Sequence, residues 1–235
     1  MKIALLGYGK MGKVIERIAL ERSHEIVLKK DEFNTFDGLE NADVAIDFSA
    51  PSIAVEYIST ALNYGIPVIS GTTGWLENYH QIEKLCNEKK AAFLYGSNFS
   101  LGVNLFFELN DYLAKMMAKF NDYKVSMEEI HHTQKLDKPS GTAISLANAI
   151  INHTDKNNWV IEKPKEDDVF IDVKRIDNIP GTHSVVYNSD VDFIEIKHVA
   201  HNREGFALGA VIAAEWIIGK KGVFSMKDVL ELNSK

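Results

Sequence analysis

Between an apolar run at residues 3–6 and a segment whose Met11, Val14, Ile15 and Ile18 recur at helical spacing stands Gly7-Tyr8-Gly9-Lys10-Met11-Gly12. This G-x-G-x-x-G pattern, placed after a buried strand and ahead of an amphipathic helix, constrains the chain more than any other feature. The first glycine permits a tight turn, the second lets the backbone approach a pyrophosphate, and the third lets helix and strand pack closely. The helix N-terminus adds positive potential. Dinucleotide binding by Gly7, Tyr8, Gly9, Lys10, Met11 and Gly12 follows; a purely structural glycine turn is the rival reading.

Further short apolar runs at 26–28, 44–48, 68–69 and 91–94 alternate with helical stretches up to about residue 100. Such runs suit strands buried on both faces, and strand alternating with helix means crossovers on a parallel sheet. The expected fold class is therefore α/β, with a doubly wound, Rossmann-like parallel-sheet domain. Ser49-Ala50-Pro51-Ser52 predicts a helix start with a serine cap.

After Asn104 the spacing predicts a long helix to about residue 120, a strand at 123–130, a polar loop and a helix near 141–152. β-rich runs follow at 169–174, 184–187 and 191–196, separated by turn residues. They predict a second, α+β domain on a mostly antiparallel sheet. A last helix spans about 203–218. The expected division is 1–103 plus about 204–235 for the dinucleotide domain and 104–203 for the second.

An acid about 20 residues past the glycine loop holds the ribose hydroxyls in such domains, and Asp31 and Glu32 fall in range. Lys29 and Lys30 beside them would instead hold the extra phosphate of NADP, so either NADH or NADPH is expected as cofactor. Gly71-Thr72-Thr73-Gly74 and Gly96-Ser97-Asn98-Phe99-Ser100 follow the fourth and fifth apolar runs, at the carboxyl edge where ligands bind. Gly71, Thr72, Thr73, Ser97, Asn98 and Phe99 are thus expected to line the nicotinamide end. Simple tight turns are the alternative.

Composition narrows the function classes. The 235 residues allow one large domain or two modest ones, and their net charge of −7 gives no footprint for nucleic acid or an anionic membrane. Cys86, the single cysteine, forms no internal disulfide and anchors no cysteine-rich zinc site, which fits a reducing compartment. The apolar run before Gly7 is too short for a secretory signal. The longest apolar stretch, 206–218, contains Glu215 and falls short of the ~20 residues that cross a bilayer. The expectation is a cytoplasmic protein.

The densest chemistry lies in Glu129-Ile130-His131-His132-Thr133-Gln134-Lys135-Leu136-Asp137-Lys138-Pro139-Ser140-Gly141-Thr142-Ala143. Consecutive histidines on extended chain point to opposite sides, so His131 and His132 need not share a role. Lys135, across a loop from His131, is placed for proton donation. Pro139 to Ala143 open a helix whose free N–H groups and two hydroxyls face outward as an anion pocket. Such a cluster holds a small substrate with carboxylates better than a neutral one. A zinc pair lacks a third ligand at useful spacing, His153, His183, His198 and His201 being scattered; satisfied structural histidines are the other competing reading.

The pattern His131-His132-x-x-Lys135-x-Asp137-x-Pro139-Ser140-Gly141-Thr142-Ala143, with the glycine loop, Gly71-Thr72-Thr73-Gly74 and Asn98-Phe99-Ser100-x-Gly102-Val103-Asn104, resembles the dihydrodipicolinate reductases of bacterial lysine and diaminopimelate synthesis. The resemblance spans nearly the whole chain in order. It implies NAD(P)H on the first domain and 4-hydroxy-tetrahydrodipicolinate on the second, whose ring double bond is reduced by hydride after loss of water. It also implies that His131 donates and accepts protons, that Lys135 donates one, and that His132, Ser140, Gly141 and Thr142 touch the substrate carboxylates. A homotetramer joined through second-domain sheets, here 169–197, is implied as well. Two departures stand out: Lys138 where the family usually has alanine, and a connection of residues 29–43 shorter than the family often has. Another two-domain dehydrogenase, acting on an amino acid such as aspartate, and a non-catalytic dinucleotide sensor are the alternatives; a sensor has no use for Lys135 beside paired histidines.

Overall fold

The structure, a computed structural model, describes residues 1–202 and 204–232. β1 (Lys2–Leu6) leads through the glycine loop into α1 (Lys10–Glu21), and β2 (Glu25–Lys30) follows. The connection onward holds only a 3-10 turn at Leu39–Asn41, anchored by the buried Leu39. Then come β3 (Val44–Asp47), α2 (Pro51–Asn63), β4 (Val68–Ser70), α3 (Tyr79–Lys89) and β5 (Ala92–Tyr95). α4 (Leu101–Met117) starts the second unit, which continues through β6 (Lys124–His131), α5 (Gly141–His153), β7 (Asn158–Val160), β8 (Asp168–Arg175), β9 (Gly181–Asn188) and β10 (Phe193–Ala200). The chain returns to the first unit with α6 (Glu204–Ile217), β11 (Gly222–Phe224) and α7 (Met226–Val229). Arg203, at the expected start of that helix, and the last three residues lie outside the described residues.

Two compact units result, Met1–Leu101 with Glu204–Lys235, and Gly102–Arg203. In the first, six strands pair in the order β11-β5-β4-β3-β1-β2, all in parallel. Side chains alternate along each strand, so Ile3 and Leu5 enter one core with α1 and α6, while Ala4 and Leu6 enter another with α2 and α3. Each Ile or Leu removed from water in this way stabilises the unit by about 1.5–3 kcal/mol. α6 packs beside α1, where the Arg22 guanidinium donates twice to Glu215, at 2.8 and 2.7 Å, with His24 at 2.7 Å. The order explains the short connection after β2: the chain runs from the edge strand β2 straight to β3 on the far side of β1 and builds no strand beyond β2.

Two expectations need correction. α2 is capped by Ala50 with no side-chain bond, and Pro51 fixes its first turn; the Ser49 hydroxyl instead donates to Asp47 Oδ1 at 2.6 Å. The second sheet, in the order β10-β9-β6-β8-β7, is mixed rather than mostly antiparallel. β6 pairs antiparallel with β9 but parallel with β8, and β7 and β8 are also parallel. The cause is α5, a crossover helix that returns the chain to the same end of the sheet before β7 and β8 are laid down. α4 and α5 cover one face of this sheet around Phe106, Leu113, Leu146 and Ile150. Among the described residues no helix is long and apolar enough to cross a membrane.

Candidate active site

Because the strands of the first unit are parallel, their carboxyl ends share one edge, and that edge gathers Gly7, Asp31, Gly71, Thr72, Thr73, Ser97 and Asn98 from four separate loops. β1 and β3, with β2 on the other side of β1, make this edge a topological switch point, where such sheets bind ligands. The three glycines have three separate reasons. Gly7 sits at φ +97°, and a Cβ there would stand 2.4 Å from the Phe48 carbonyl oxygen. At Gly12 a Cβ would stand 2.4 Å from the Gly7 carbonyl oxygen, so helix and turn touch. At Gly9 a Cβ would meet nothing within 4 Å: the backbone borders open space. Gly9 caps α1 with no side-chain bond and no acid follows in the first turn, which leaves the orphan N–H groups and positive helix end for a pyrophosphate. These residues fit a dinucleotide.

Around them Lys10 is exposed and Met11 packs against the core. The Tyr8 hydroxyl donates to the Glu16 carboxylate, which also pairs with Lys29, and the Lys29 ammonium lies 5.1 Å from the Tyr8 ring centre. Lys30, next along the strand, is enclosed. It is 5% exposed, donates to the carbonyls of Asp31 and Asn34, and sits 5.1 and 5.0 Å from the ring centres of Phe36 and Tyr57. Asp31 accepts from the N–H groups of Phe33 and Asn34, so its carboxylate shapes the loop it stands in. Phe99 is a core side chain, 5.8 Å from the Phe48 ring, and only its backbone belongs to the edge.

Asp47 is a residue that sequence reasoning missed. Fully buried at the end of β3, it accepts from the Ser49 hydroxyl and N–H and from the Ser70 hydroxyl at 2.7 Å. Burial pushes its carboxyl above the usual range, against those bonds. It ties the Ser49 loop to β4 beneath Thr72, whose hydroxyl accepts from the Ser49 N–H. An acid ending an otherwise apolar run was the available signal.

The second unit gathers its chemistry at the end of β6. Strand alternation sends Val125, Met127, Glu129 and His131 to the same buried side, Val125 and Met127 into the core and Glu129 and His131 beyond it. Register then places His183 opposite Glu129 and Arg175 beside His131. The Glu129 carboxylate accepts from the Arg175 guanidinium at 3.0 Å through Oε1 and from the Ser140 N–H at 2.9 Å through Oε2. Its Oε2 also lies 3.6 Å from His131 Nδ1 and 3.8 Å from His183 Nε2. The two imidazoles stand edge to face, 5.0 Å apart.

Ser140 caps α5, its hydroxyl accepting from the Ala143 N–H at 3.2 Å and lying 3.0 Å from His183 Nε2. That hydroxyl faces inward and not outward as expected, because the cap geometry and His183 both claim it. Gly141 is exposed and Thr142 half-buried at the helix start. The Lys135 ammonium pairs with both oxygens of Asp137 at 2.8 Å, and its N–H closes a turn on the His132 carbonyl. Lys138 is exposed. His132 is turned away from His131, into a cavity of about 360 Å³ lined also by Thr133, Asp177, Ile179 and His201. Neither His131 nor Lys135 lines that cavity.

Burial, helped by the charges of Lys135 and Arg175 and opposed by Glu129 and Asp137, brings His131 down to about 4. Burial and the neighbouring His131 bring His183 down to about 3. Both rings are neutral at pH 7. Burial pushes Glu129 up, but its bonds from Ser140 and Arg175 outweigh this and hold it below the usual carboxylate range. Glu129, His131 and His183 have ligand atoms within 4.8 Å of one another, the spacing of a cation site. The Arg175 guanidinium on the same carboxylate already supplies positive charge there. Glu129, His183 and Arg175 were not assigned roles from sequence; Glu129 two residues before His131 was the readable signal, since that spacing puts both on one side of a strand.

The chain matches the profile for the N-terminus of dihydrodipicolinate reductase over residues 1–99 and that for its C-terminus over 102–230. It is 53% identical to a 4-hydroxy-tetrahydrodipicolinate reductase of Christiangramia forsetii, over 98% of either chain. With the Thermosipho africanus protein of that name it shares 37% identity, again over 98% of each. Its fold matches a dipicolinate-bound dihydrodipicolinate reductase from Paenisporosarcina with a TM-score of 0.77, at 22% identity, covering 96% of this chain and 97% of that one. Glycine loop, buried histidine cluster and these relatives agree: the chain belongs to the dihydrodipicolinate reductase family.

Proposed function

We propose that the chain reduces 4-hydroxy-tetrahydrodipicolinate to tetrahydrodipicolinate, as an NAD(P)H-dependent oxidoreductase of lysine and diaminopimelate synthesis. The observation that carries this reading is the buried His131 ring, held beside Glu129 on the same strand side, with Lys135 and the start of α5 following it in the chain. NADH or NADPH, when bound at the glycine loop, supplies the hydride. Gly7, Gly9 and Gly12 with the N–H groups of α1 hold the pyrophosphate, with Tyr8, Lys10 and Met11 flanking it, and Gly71, Thr72, Thr73, Ser97, Asn98 and the backbone of Phe99 border the nicotinamide. Asp31 shapes the loop that meets the adenosine ribose.

On the second unit, the N–H groups of Gly141 and Thr142 take a substrate carboxylate at a helix end whose cap is Ser140, while His132 faces the neighbouring cavity that it shares with Thr133 and His201. With Nδ1 turned to Glu129, Nε2 is the His131 nitrogen that takes and returns a proton. The Lys135 ammonium, steadied by Asp137, donates the proton that, with the hydride, saturates the ring double bond left when the 4-hydroxyl departs as water.

The chain works as a homotetramer in the cytoplasm. β10 supports this assembly: Phe193, Val199 and Ile194 are 63%, 49% and 39% exposed along an edge strand, a costly surface for a lone chain and an ordinary one for a subunit interface. Loss of NADH or NADPH absorbance, dependent on enzymatically generated substrate, tests the activity. No loss with either nucleotide would reject it. Sedimentation at micromolar concentration tests the tetramer, and a monomer there would remove it.

A further inference from the structure

Arg175 ends β8 with its side chain 9% exposed, and its guanidinium is shared among elements that sequence keeps far apart. NH2 donates to Glu129 Oε1 at 3.0 Å and to the Asp137 carbonyl at 2.6 Å, Nε donates to the Lys135 carbonyl at 3.3 Å, and NH1 donates to the carbonyl of Lys174 at 2.8 Å. The loop carrying Lys135 therefore hangs on one side chain from the neighbouring strand. The carboxylate at its other end, Glu129, also fixes the Ser140 N–H and faces His131. His131, Lys135 and the start of α5 are thereby fastened to one buried ion pair.

We propose that Arg175 and Glu129 are positioning residues of the reductase site: the guanidinium sets the Lys135–Asp137 loop against His131, and the carboxylate sets the start of α5 against both. The planar fork is needed because donors must leave in several directions at once, which a lysine ammonium on a flexible stem does not do. Both act through the groups they hold. A displacement of about 1 Å in a proton donor is enough to slow turnover roughly a hundredfold. The inference rests on the assignment of His131 and Lys135 as the proton-transferring pair.

The test compares Arg175→Ala, Arg175→Lys and Glu129→Gln with His131→Gln, measuring kcat, KM for the dicarboxylate and KM for NADH on the full chain. The expected result is a fall of about a hundredfold in kcat/KM for the dicarboxylate in all three Arg175 and Glu129 variants, with KM for NADH unchanged. Millimolar guanidinium should restore part of the Arg175→Ala loss while leaving His131→Gln unaffected, an outcome that a merely structural role does not give. Should Arg175→Ala fail to fold, Arg175→Lys and Glu129→Gln carry the test. Normal kcat/KM in these two, with His131→Gln inactive, overturns the positioning role alone. Normal turnover in His131→Gln overturns the site assignment beneath it.

Discussion

Glu129 Oε2 lies 3.6 Å from His131 Nδ1, a buried nitrogen that makes no hydrogen bond among the described residues. The separation is too long for a bond to a neutral ring and short enough for one to form with a small rotation when the ring is charged. A proton arriving at Nε2 therefore meets a carboxylate already in place on the opposite side. His131→Gln and Lys135→Ala should each lower kcat by about 10²–10⁴, the usual worth of a positioned acid or base. Cofactor affinity should stay near wild type, since both residues belong to the second unit. Titration of NADH fluorescence checks this, and wild-type turnover in either variant removes that residue from proton transfer.

The glycine loop separates stability from binding. Gly12→Ala drives a methyl to 2.4 Å from the Gly7 carbonyl oxygen, backbone against backbone, whereas Gly9→Ala puts it in open space. Gly12→Ala should destabilise the first unit by about 1–3 kcal/mol. Gly9→Ala should leave the melting temperature unchanged and weaken NADH and NADPH at least tenfold, because the methyl occupies the approach to the pyrophosphate. A Gly9→Ala protein with normal dinucleotide affinity would place the cofactor elsewhere.

Two adjacent lysines that sequence treats alike lead to opposite expectations for cofactor choice. Lys29 is exposed and paired with Glu16 at the rim of the loop; Lys30 is enclosed by two carbonyls and two aromatic rings. Lys29→Ala should weaken NADPH more than NADH. Lys30→Ala should lower the melting temperature and affect both nucleotides alike. Binding isotherms for both nucleotides decide the matter: a selective NADPH loss in Lys30→Ala, with Lys29→Ala neutral, would reverse the assignment.

Much of this was legible in the chain because it is local. The G-x-G-x-x-G loop and the continuous apolar runs are short patterns with one physical solution, and they located β1, α1 and the buried strands within a residue or two. Strand alternation likewise separated His131 from His132. What escaped is non-local. Arg175 meets Glu129 only because α5 makes β6 and β8 parallel, the same crossover that makes the second sheet mixed. The Ser140 hydroxyl turns inward because His183, on β9, is waiting for it. Lys30 differs from Lys29 because strand parity points it at Tyr57 and Phe36, a contact no neighbouring residue announces.

The same buried histidines set an acid limit on stability. His131 and His183 lie at about 4 and about 3 in the folded chain, below their ordinary value near 6.5. Between those limits the unfolded chain binds more protons than the folded one, so stability is complete above pH 6.5 and is lost as pH falls toward 4. Glu129 acts in the same direction lower down: held below its ordinary value by Ser140 and Arg175, it withdraws stability as pH drops through the carboxylate range. Each histidine contributes up to about 1.4 kcal/mol per pH unit in its window. The melting temperature of the second unit should therefore fall steeply from pH 6.5 to 4, and His183→Asn, which removes one of the two titrating rings, should flatten that slope while lowering stability at pH 7. Thermal melts at half-unit pH steps measure both effects, and a melting temperature independent of pH across that range would show that the two rings are not buried neutral.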